Sequence, residues 1–254
     1  MLVISNGAFK CGSTWLFNIL TSLQDFAWPE TAFLTKSNTM HPTIAEPKLA
    51  AYLAGAAFDS RDVISKNHLD KAEHRALLLA HKAVRVVCMT RDSRDVIVSG
   101  YYHDRLNRAF DGSFAQYYWE GGRTIIPKLM RYQSTWSQPH AQMTATSFEA
   151  LKTDFQGEVA RIAGLLGLSP DVDALERIRQ ETSLESLRQK YQNAPSHRSA
   201  EADFFRKGET GDWRNHFDDK ILADHDRIWR QGISRLDRHY LLARAKRKIR
   251  RVLA

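Results

Sequence analysis

The sequence predicts an α/β fold in which one domain is built on a central parallel β-sheet flanked by helices. Short apolar segments alternate with segments that carry apolar residues at helical spacing, so that strand and helix follow each other repeatedly. This order favours parallel strands with helices on both faces of the sheet. The 254 residues are 43% hydrophobic and 26% charged, which suffices for one sizeable core, and we expect a single domain over residues 1–254.

The first strand and helix are predicted at the start of the chain. Leu2 to Asn6 is an apolar run that ends at a glycine, and Ser13 to Leu23 has apolar residues at helical spacing. We read these segments as strand, loop and helix. Two more strand–helix pairs follow, Asp62 to Asn67 with Lys71 to His81, and Ala83 to Thr90 with Ser93 to Leu106.

The second half of the chain is predicted to be mostly helical. Met143 to Phe148 is a candidate fourth core strand, and Phe155 to Leu166, Asp173 to Arg179 and Leu184 to Tyr191 have helical patterns. Between residues 192 and 211 the apolar periodicity fails while polar residues, proline and glycine accumulate. We interpret this stretch as a mobile segment that closes over a ligand.

The charge balance indicates an anionic partner without choosing one. Lys and Arg number 37 against 29 Asp and Glu, a net charge of +8, which favours an anionic ligand, a nucleic acid or an acidic membrane surface. Signatures of nucleic-acid-binding folds are missing, so nucleic acid is not the expected partner. Residues 240–254 read as a basic helical tail, either a solvated helix end or, as the less favoured option, a peripheral membrane contact.

Two cysteines and the character of the N-terminus bear on the compartment. Cys11 and Cys88 do not form a disulfide framework, and a reducing environment is expected. The N-terminal residues have no basic stretch and too short an apolar run for a secretion signal or a membrane span. We therefore expect a cytoplasmic protein.

Two segments of the chain have the composition of phosphate sites. Gly7-x-x-x-x-Gly12-Ser13-Thr14 joins the first strand to the first helix and offers backbone N–H groups, hydroxyls and a positive helix end, as in a P-loop-like nucleotide-binding core. The lysine of nucleotide triphosphatases would follow the second glycine, where Ser13 stands, and the nearby amine is Lys10. Far along the chain, Arg206-Lys207-Gly208 precedes a helical segment. Two anion sites suggest a ligand with two separate phosphates.

Three motifs resemble those of sulfotransferases that use 3′-phosphoadenosine 5′-phosphosulfate (PAPS). Lys10-Cys11-Gly12-Ser13-Thr14-Trp15 resembles the family's 5′-phosphosulfate loop, Lys-Ser-Gly-Thr-Thr-Trp. The segment from Arg91 to His103 resembles the 3′-phosphate motif, with Arg91 and Ser99 at the family spacing, although Arg91 could instead form a surface ion pair with a neighbouring aspartate. Phe205-Arg206-Lys207-Gly208 with the following Gly211-Asp212-Trp213 is similar to Arg-Lys-Gly-x-x-Gly-Asp-Trp. The resemblance runs from residue 2 to about residue 217.

The resemblance implies a reaction and its participants. A sulfuryl group would pass from PAPS to an acceptor hydroxyl or amine by in-line attack, leaving adenosine 3′,5′-bisphosphate (PAP), without a metal ion. His68, in a segment similar to the family's Lys-Thr-His-Leu, would be the base. Lys10 would meet the negative charge that grows on the departing 5′-phosphate, with Lys66 assisting. The acceptor would be a small molecule, a glycan or a lipid. The donor-binding residues would be Lys10, Cys11, Gly12, Ser13, Thr14, Trp15, Arg91, Ser99, Phe148, Thr182, Leu184, Phe205, Arg206, Lys207 and Gly208.

Several of these assignments keep alternatives. Phe148 and Leu184 stand where the family has a tyrosine and an aromatic residue, which preserves an apolar wall only. Trp15 suits either the core or an adenine-facing position, and His68 could be a solvated bystander. Two other functions remain open: a P-loop kinase or nucleotide triphosphatase with Mg²⁺, and a basic, non-enzymatic module that binds polyanions.

Overall fold

A computed structural model describes residues 1–35, 41–55, 60–193 and 205–233, together with 241, 242 and 245. Its sheet has four parallel strands in the order β2-β1-β3-β4. The predicted α/β class and the parallel sheet flanked by helices are confirmed, since α1, α3, α7 and α8 pack on the strands. The strands are β1 (Leu2–Gly7), β2 (Val63–Asn67), β3 (Val84–Thr90) and β4 (Met143–Ser147).

The described helices follow the strands in the predicted alternation. The predicted helix Ser13 to Leu23 matches the observed one at both ends, and the others differ by one or two residues. In chain order the α-helices are α1 (Ser13–Leu23), α2 (Leu49–Ala54), α3 (Ala72–Leu79), α4 (Ser93–Asn107), α5 (Phe114–Glu120), α6 (Ile126–Trp136), α7 (Phe148–Thr153), α8 (Phe155–Leu165), α9 (Val172–Glu181), α10 (Leu184–Gln192) and α11 (Asp219–Gln231).

The chain divides into two compact units, and the first contains the sheet. Unit 1 comprises Met1–Arg91 and Tyr132–Lys190, and unit 2 comprises Asp92–Arg131 and Tyr191–Ala254. Every residue of β1 and β2 is buried. β1 is a central strand, whereas β2 lies at one edge of the sheet, where the backbone of Ala27 and Pro42 bonds to it. The fourth strand differs from the prediction of a core strand. It pairs with β3 alone, and Ala145 is exposed, because β4 lies at the edge of the sheet.

Unit 2 has a core of aromatic rings. Tyr101 and Phe114 lie with ring centroids 5.6 Å apart, and Tyr118 and Phe217 lie 5.9 Å apart. Beside them the buried guanidinium of Arg123 donates to both carboxylate oxygens of Asp224 at 2.8 and 2.6 Å. Tyr101, Phe114 and Tyr118 are buried within unit 2.

Other sequence predictions fall partly or wholly outside the described residues. Most of the segment 192–211, predicted to be mobile, consists of residues 194–204, which the structure does not describe. Most of the basic tail, residues 240–254, is likewise not described. The single domain over 1–254 stays a prediction. Within the ranges that the structure describes, none of the helices combines the length and the apolar character needed to cross a membrane.

Candidate functional site

The carboxyl ends of all four strands deliver predicted site residues to one edge of the sheet. The loop that contains Lys10 follows β1, His68 follows β2, Arg91 follows β3 and Phe148 follows β4. The strands are parallel and in register, with Asn6 opposite Asn67, Gly7 opposite Met89, and Thr90 opposite Ser147. The carboxyl edge of a parallel sheet is where α/β proteins bind ligands. These residues all belong to unit 1.

The loop between β1 and α1 is tightly folded around two glycines. A Cβ atom on Gly7 would lie 2.6 Å from the Cβ atom of Ser13, so any larger residue would force the loop to shift. Gly12 has a φ of 95°, and a Cβ atom there would approach Met89 and Phe148 at 2.9 Å each. Lys10 has a φ of 60°, a left-handed conformation that is costly for a residue other than glycine. The loop geometry thus holds Lys10 in a strained backbone position.

The first turn of α1 can accept an anion. Gly12 is the N-cap, no side chain caps the helix, and its first turn contains no acidic residue. Backbone N–H groups and the positive end of the helix dipole therefore face the loop. The side chain of Cys11 is fully buried, and burial raises the pKa of its thiol to about 12. The Cys11 thiol is consequently neutral at pH 7, which does not suit a nucleophile.

Three cations surround this loop. The Nζ atom of Lys66 on β2 donates to Oγ1 of Thr14 at 2.9 Å. The positive charges of Lys66 and Arg91 act on the Cys11 thiol, and those of Lys66 and Lys10 act on His68. A positive field therefore surrounds the helix N-terminus, which is the condition for holding a doubly charged group.

His68 is held in one tautomer. Its Nδ1 atom lies 2.6 Å from the carbonyl oxygen of Gly7. A carbonyl only accepts hydrogen bonds, so Nδ1 of the neutral ring carries the proton and Nε2 keeps its lone pair. Desolvation, followed by the charges of Lys66 and Lys10, lowers the pKa of His68, against the opposing effect of the Gly7 carbonyl. The residue nevertheless keeps an exposed surface. It thus presents a neutral proton acceptor at pH 7.

Arg91, Phe148 and Trp15 form a contact series in unit 1. The guanidinium carbon of Arg91 lies 4.2 Å from the ring centroid of Phe148. The ring of Trp15 meets Phe148 edge-on at 5.2 Å and stacks with Phe155 at 6.1 Å. The Trp15 ring is therefore packed, while its buried Nε1 has no hydrogen-bond partner among the described residues. Such a donor calls for an explanation, and a bound ligand is one.

Thr182 and Leu184 lie in the same unit as Trp15. Thr182 follows α9, which packs against α1, and Leu184 begins α10. The Thr182 side chain is buried, and its hydroxyl donates to the carbonyl oxygen of Ile178 at 2.7 Å. Thr182, one of the predicted donor-binding residues, thus already uses its hydroxyl within the protein.

The remaining predicted donor-binding residues belong to unit 2. Ser99 is half-buried in the second turn of α4, and the ring of Phe205 lies 5.2 Å from that of Tyr191. Arg206 and Lys207 both donate to the carboxylate of Asp212, Lys207 at 2.9 Å. Burial alone would raise the pKa of Asp212, but these hydrogen bonds lower it below its usual range. Asp212 has no role that its place in the sequence motif indicates, whereas the structure pairs it with both cations.

The backbone around Trp213 is hydrogen-bonded to the start of α4 within unit 2. The Asp95 carboxylate accepts the N–H groups of Gly211 at 2.7 Å and of Trp213 at 2.9 Å. The guanidinium of Arg94 lies 3.8 Å from the Trp213 ring centroid and is bound by Asp92, which also caps the helix. These contacts give Trp213 a structural role.

No group of three or more His, Cys, Asp and Glu side chains within the described ranges is arranged to hold a metal ion. In unit 1 the predicted site residues supply backbone donors, cations and one neutral imidazole. Unit 2 contains the cationic segment Arg206-Lys207.

Comparison with curated proteins shows sequence relatives among sulfotransferases. Human sulfotransferase 1C2 is 24% identical over 239 residues, which cover 87% of this chain and 79% of the relative. Cytosolic sulfotransferase 1 of the zebrafish Danio rerio is 27% identical over 158 residues, 58% of this chain and 53% of the relative. The match to the zebrafish protein thus spans about half of that relative's length.

A solved structure supports the fold, and a family model supplies the identity. The crystal structure of mouse sulfotransferase SULT7A1 complexed with PAP is similar with a TM-score of 0.68, covering 95% of this chain and 87% of that one at 18% identity. At that identity the likeness concerns the fold alone. The family model of the sulfotransferase domain matches residues 3–237. The family predicted from the three motifs is confirmed, and the chain belongs to the sulfotransferase family.

Proposed function

We propose that this chain is a PAPS-dependent sulfotransferase that transfers a sulfuryl group to an acceptor hydroxyl or amine and releases PAP. The observation that carries the proposal is the convergence of the Lys10 loop, His68, Arg91 and Phe148 at the carboxyl ends of four parallel strands. Membership of the sulfotransferase family supports it, and the related mouse protein was crystallised with PAP.

The 5′-phosphosulfate is assigned to the loop and to the first turn of α1. Gly12, Ser13 and Thr14 offer backbone N–H groups and hydroxyls there, with the helix dipole behind them. The ammonium group of Lys10 meets the negative charge that develops on the bridging oxygen as the sulfur–oxygen bond breaks. Lys66, held by the Thr14 hydroxyl, adds a second positive charge to the same region.

His68 is assigned as the general base. Its neutral Nε2 takes the proton of the acceptor while the acceptor oxygen or nitrogen forms a bond to sulfur. The bond between sulfur and the 5′-phosphate oxygen breaks on the opposite side, and PAP leaves with that electron pair. The hydrogen bond from Nδ1 to Gly7 supports this role because it fixes the tautomer that the step requires.

The 3′-phosphate and the adenine are assigned to the other predicted residues. Arg91, with its planar guanidinium at the end of β3, suits bidentate binding of a phosphate. The predicted partners of Arg91 at the 3′-phosphate are Ser99, Arg206, Lys207 and Gly208. The predicted adenine contacts are Trp15, Thr182 and Leu184, and Phe148 and Phe205 are predicted donor-binding residues without a narrower assignment.

Replacing Arg91 with alanine is expected to weaken the binding of nucleotides that carry a 3′-phosphate. A hydrogen bond to a charged group contributes about 1.5–3 kcal/mol, which corresponds to a loss of about 10- to 150-fold for PAP and little change for adenosine 5′-monophosphate (AMP). Isothermal titration of both nucleotides measures the difference. Arg85→Ala is the matched control, because Arg85 lies at the amino end of the same strand and bonds to the carbonyl groups of Lys82 and Val84. An equal loss for both nucleotides would remove Arg91 from the 3′-phosphate site.

The pH profile of the reaction should report the environment of His68. Because its pKa lies below 6.5, kcat/KM should be flat around neutral pH and fall only on the acid side of that value. Replacing Lys66 with methionine removes a positive charge that disfavours the imidazolium, so the acid limb should move to higher pH. A limb that stays in place, or moves to lower pH, would show that Lys66 does not act on the catalytic group.

The expected acceptor remains a small molecule, a glycan or a lipid, and the chain is expected to act in the cytoplasm. Incubation with PAPS that carries radiolabelled sulfate and a panel of phenols, alcohols, sugars and amines tests the proposal. We expect labelled product from at least one class, with PAP released in equal amount. Phosphate transfer from ATP with Mg²⁺ but no sulfate transfer would contradict the proposal and favour the kinase alternative. The basic, non-enzymatic alternative would be favoured by salt-sensitive polyanion binding without affinity for PAP.

A further inference from the structure

Phe148 touches both the Gly12 loop and Arg91. The guanidinium carbon of Arg91 lies 4.2 Å from the centroid of the Phe148 ring. The Cδ2 atom of Phe148 lies so close to Gly12 that a Cβ atom added to that glycine would be 2.9 Å away from it. Trp15, in the first turn of α1, packs against the ring at 5.2 Å. One side chain therefore contacts the loop assigned to the 5′-phosphosulfate and the arginine assigned to the 3′-phosphate.

A helix cap and burial fix the position of Phe148. It is the first residue of α7, and Ser147, the last residue of β4, caps that helix by accepting the N–H of Ala150 at 3.0 Å. Its side chain is only 7% exposed. The ring is thus held between the sheet edge and α1 before any ligand arrives, and it has no hydroxyl with which to contact one.

We propose that Phe148 is a positioning residue that orders Arg91 for the 3′-phosphate and packs against the Gly12 loop. The residues assigned to the two phosphates thus both contact one aromatic ring. This inference rests on the proposed function. It differs from an adenine contact, because the effect of the ring on phosphate binding acts through Arg91.

The physical basis is the cation–π interaction. A guanidinium over a desolvated aromatic face is stabilised, and a long arginine side chain that is already ordered loses less entropy when it binds a phosphate. Removing the π face while keeping an apolar side chain should leave the core filled and free Arg91 to adopt other rotamers. The loss should appear selectively in ligands that carry a 3′-phosphate.

The test compares PAP with AMP by isothermal titration in four proteins: the wild type, Phe148→Leu, Phe148→Met and Phe148→Tyr. In the Leu and Met variants we expect PAP affinity to fall by about tenfold and AMP affinity by less than about threefold. The Tyr variant, which keeps the π face, should stay within about twofold of the wild type for both nucleotides. Methionine fills irregular space well, so it provides a second variant should leucine disturb folding, which thermal melting monitors.

A double-mutant cycle separates positioning from packing. In an Arg91→Ala background, Phe148→Leu should no longer change the ratio of PAP to AMP affinity, since the arginine on which the ring acts is gone. Equal losses of PAP and AMP in the single variants, or the same change of ratio with and without Arg91, would overturn the inference. A wild-type protein that does not prefer PAP to AMP would instead contradict the proposed function, so the two failures are distinguishable.

Discussion

Replacing His68 with alanine is expected to lower kcat by about 10²- to 10⁴-fold, the range that general-base catalysis contributes, while PAP affinity stays near the wild-type value. The reason is that Nε2 of His68 is a neutral acceptor whose tautomer is set by the Gly7 carbonyl. The nucleotide phosphates are assigned to other groups. Single-turnover transfer of labelled sulfate and titration of PAP measure the two quantities separately.

His140→Ala is the matched control for this variant. His140 is exposed on the loop before β4, within the same unit, and has no assigned role in the reaction. It should retain wild-type turnover. If the His68 variant also kept its turnover, or if it lost PAP affinity in the same proportion as its rate, His68 would not be the base.

Removing the Lys10 ammonium should have the second largest effect. Deleting one group that stabilises developing negative charge typically costs about 10²- to 10³-fold in kcat, and we expect this loss in both Lys10→Ala and Lys10→Gly. The two variants should differ in stability. Lys10 has a φ of 60°, and glycine adopts this conformation without the cost that alanine bears, so the glycine variant should be more stable by about 1 kcal/mol.

Thermal melting and steady-state kinetics on the same preparations check both parts of this prediction. Lys152→Ala, which removes an exposed lysine from α7, is the control and should change neither quantity. A glycine variant less stable than the alanine variant would show that the left-handed backbone of Lys10 is not strained. Near-normal turnover in either variant would exclude Lys10 from charge stabilisation.

The local features of the fold were predictable from the sequence. Apolar runs that end in glycine or a polar residue gave the strands, and the helix Ser13–Leu23 was predicted at both ends. Helices α2, α5, α6 and α7 were not predicted from the sequence. For α5 a signal was present in its cap, since Ser113 and Gln116 form a capping box, and Asp218 likewise caps α11.

The motifs also indicated which residues would meet at the sheet edge, because residues that follow parallel strands share an edge. The interactions that give those residues their roles were not predictable. The tautomer of His68 depends on a carbonyl 61 positions away. The Phe148–Arg91 contact and the pairing of Arg206 and Lys207 with Asp212 depend on side-chain packing. Spacing along the chain does not encode such contacts.

Calorimetric titration of the wild-type protein measures whether it recognises an adenosine nucleotide phosphorylated at both the 3′ and 5′ positions. We expect PAP to bind at least about tenfold more tightly than AMP, since the 3′-phosphate gains at least one charged hydrogen bond, and Mg²⁺ to leave its affinity unchanged. Tight, Mg²⁺-dependent binding of ATP together with weak binding of PAP would contradict it.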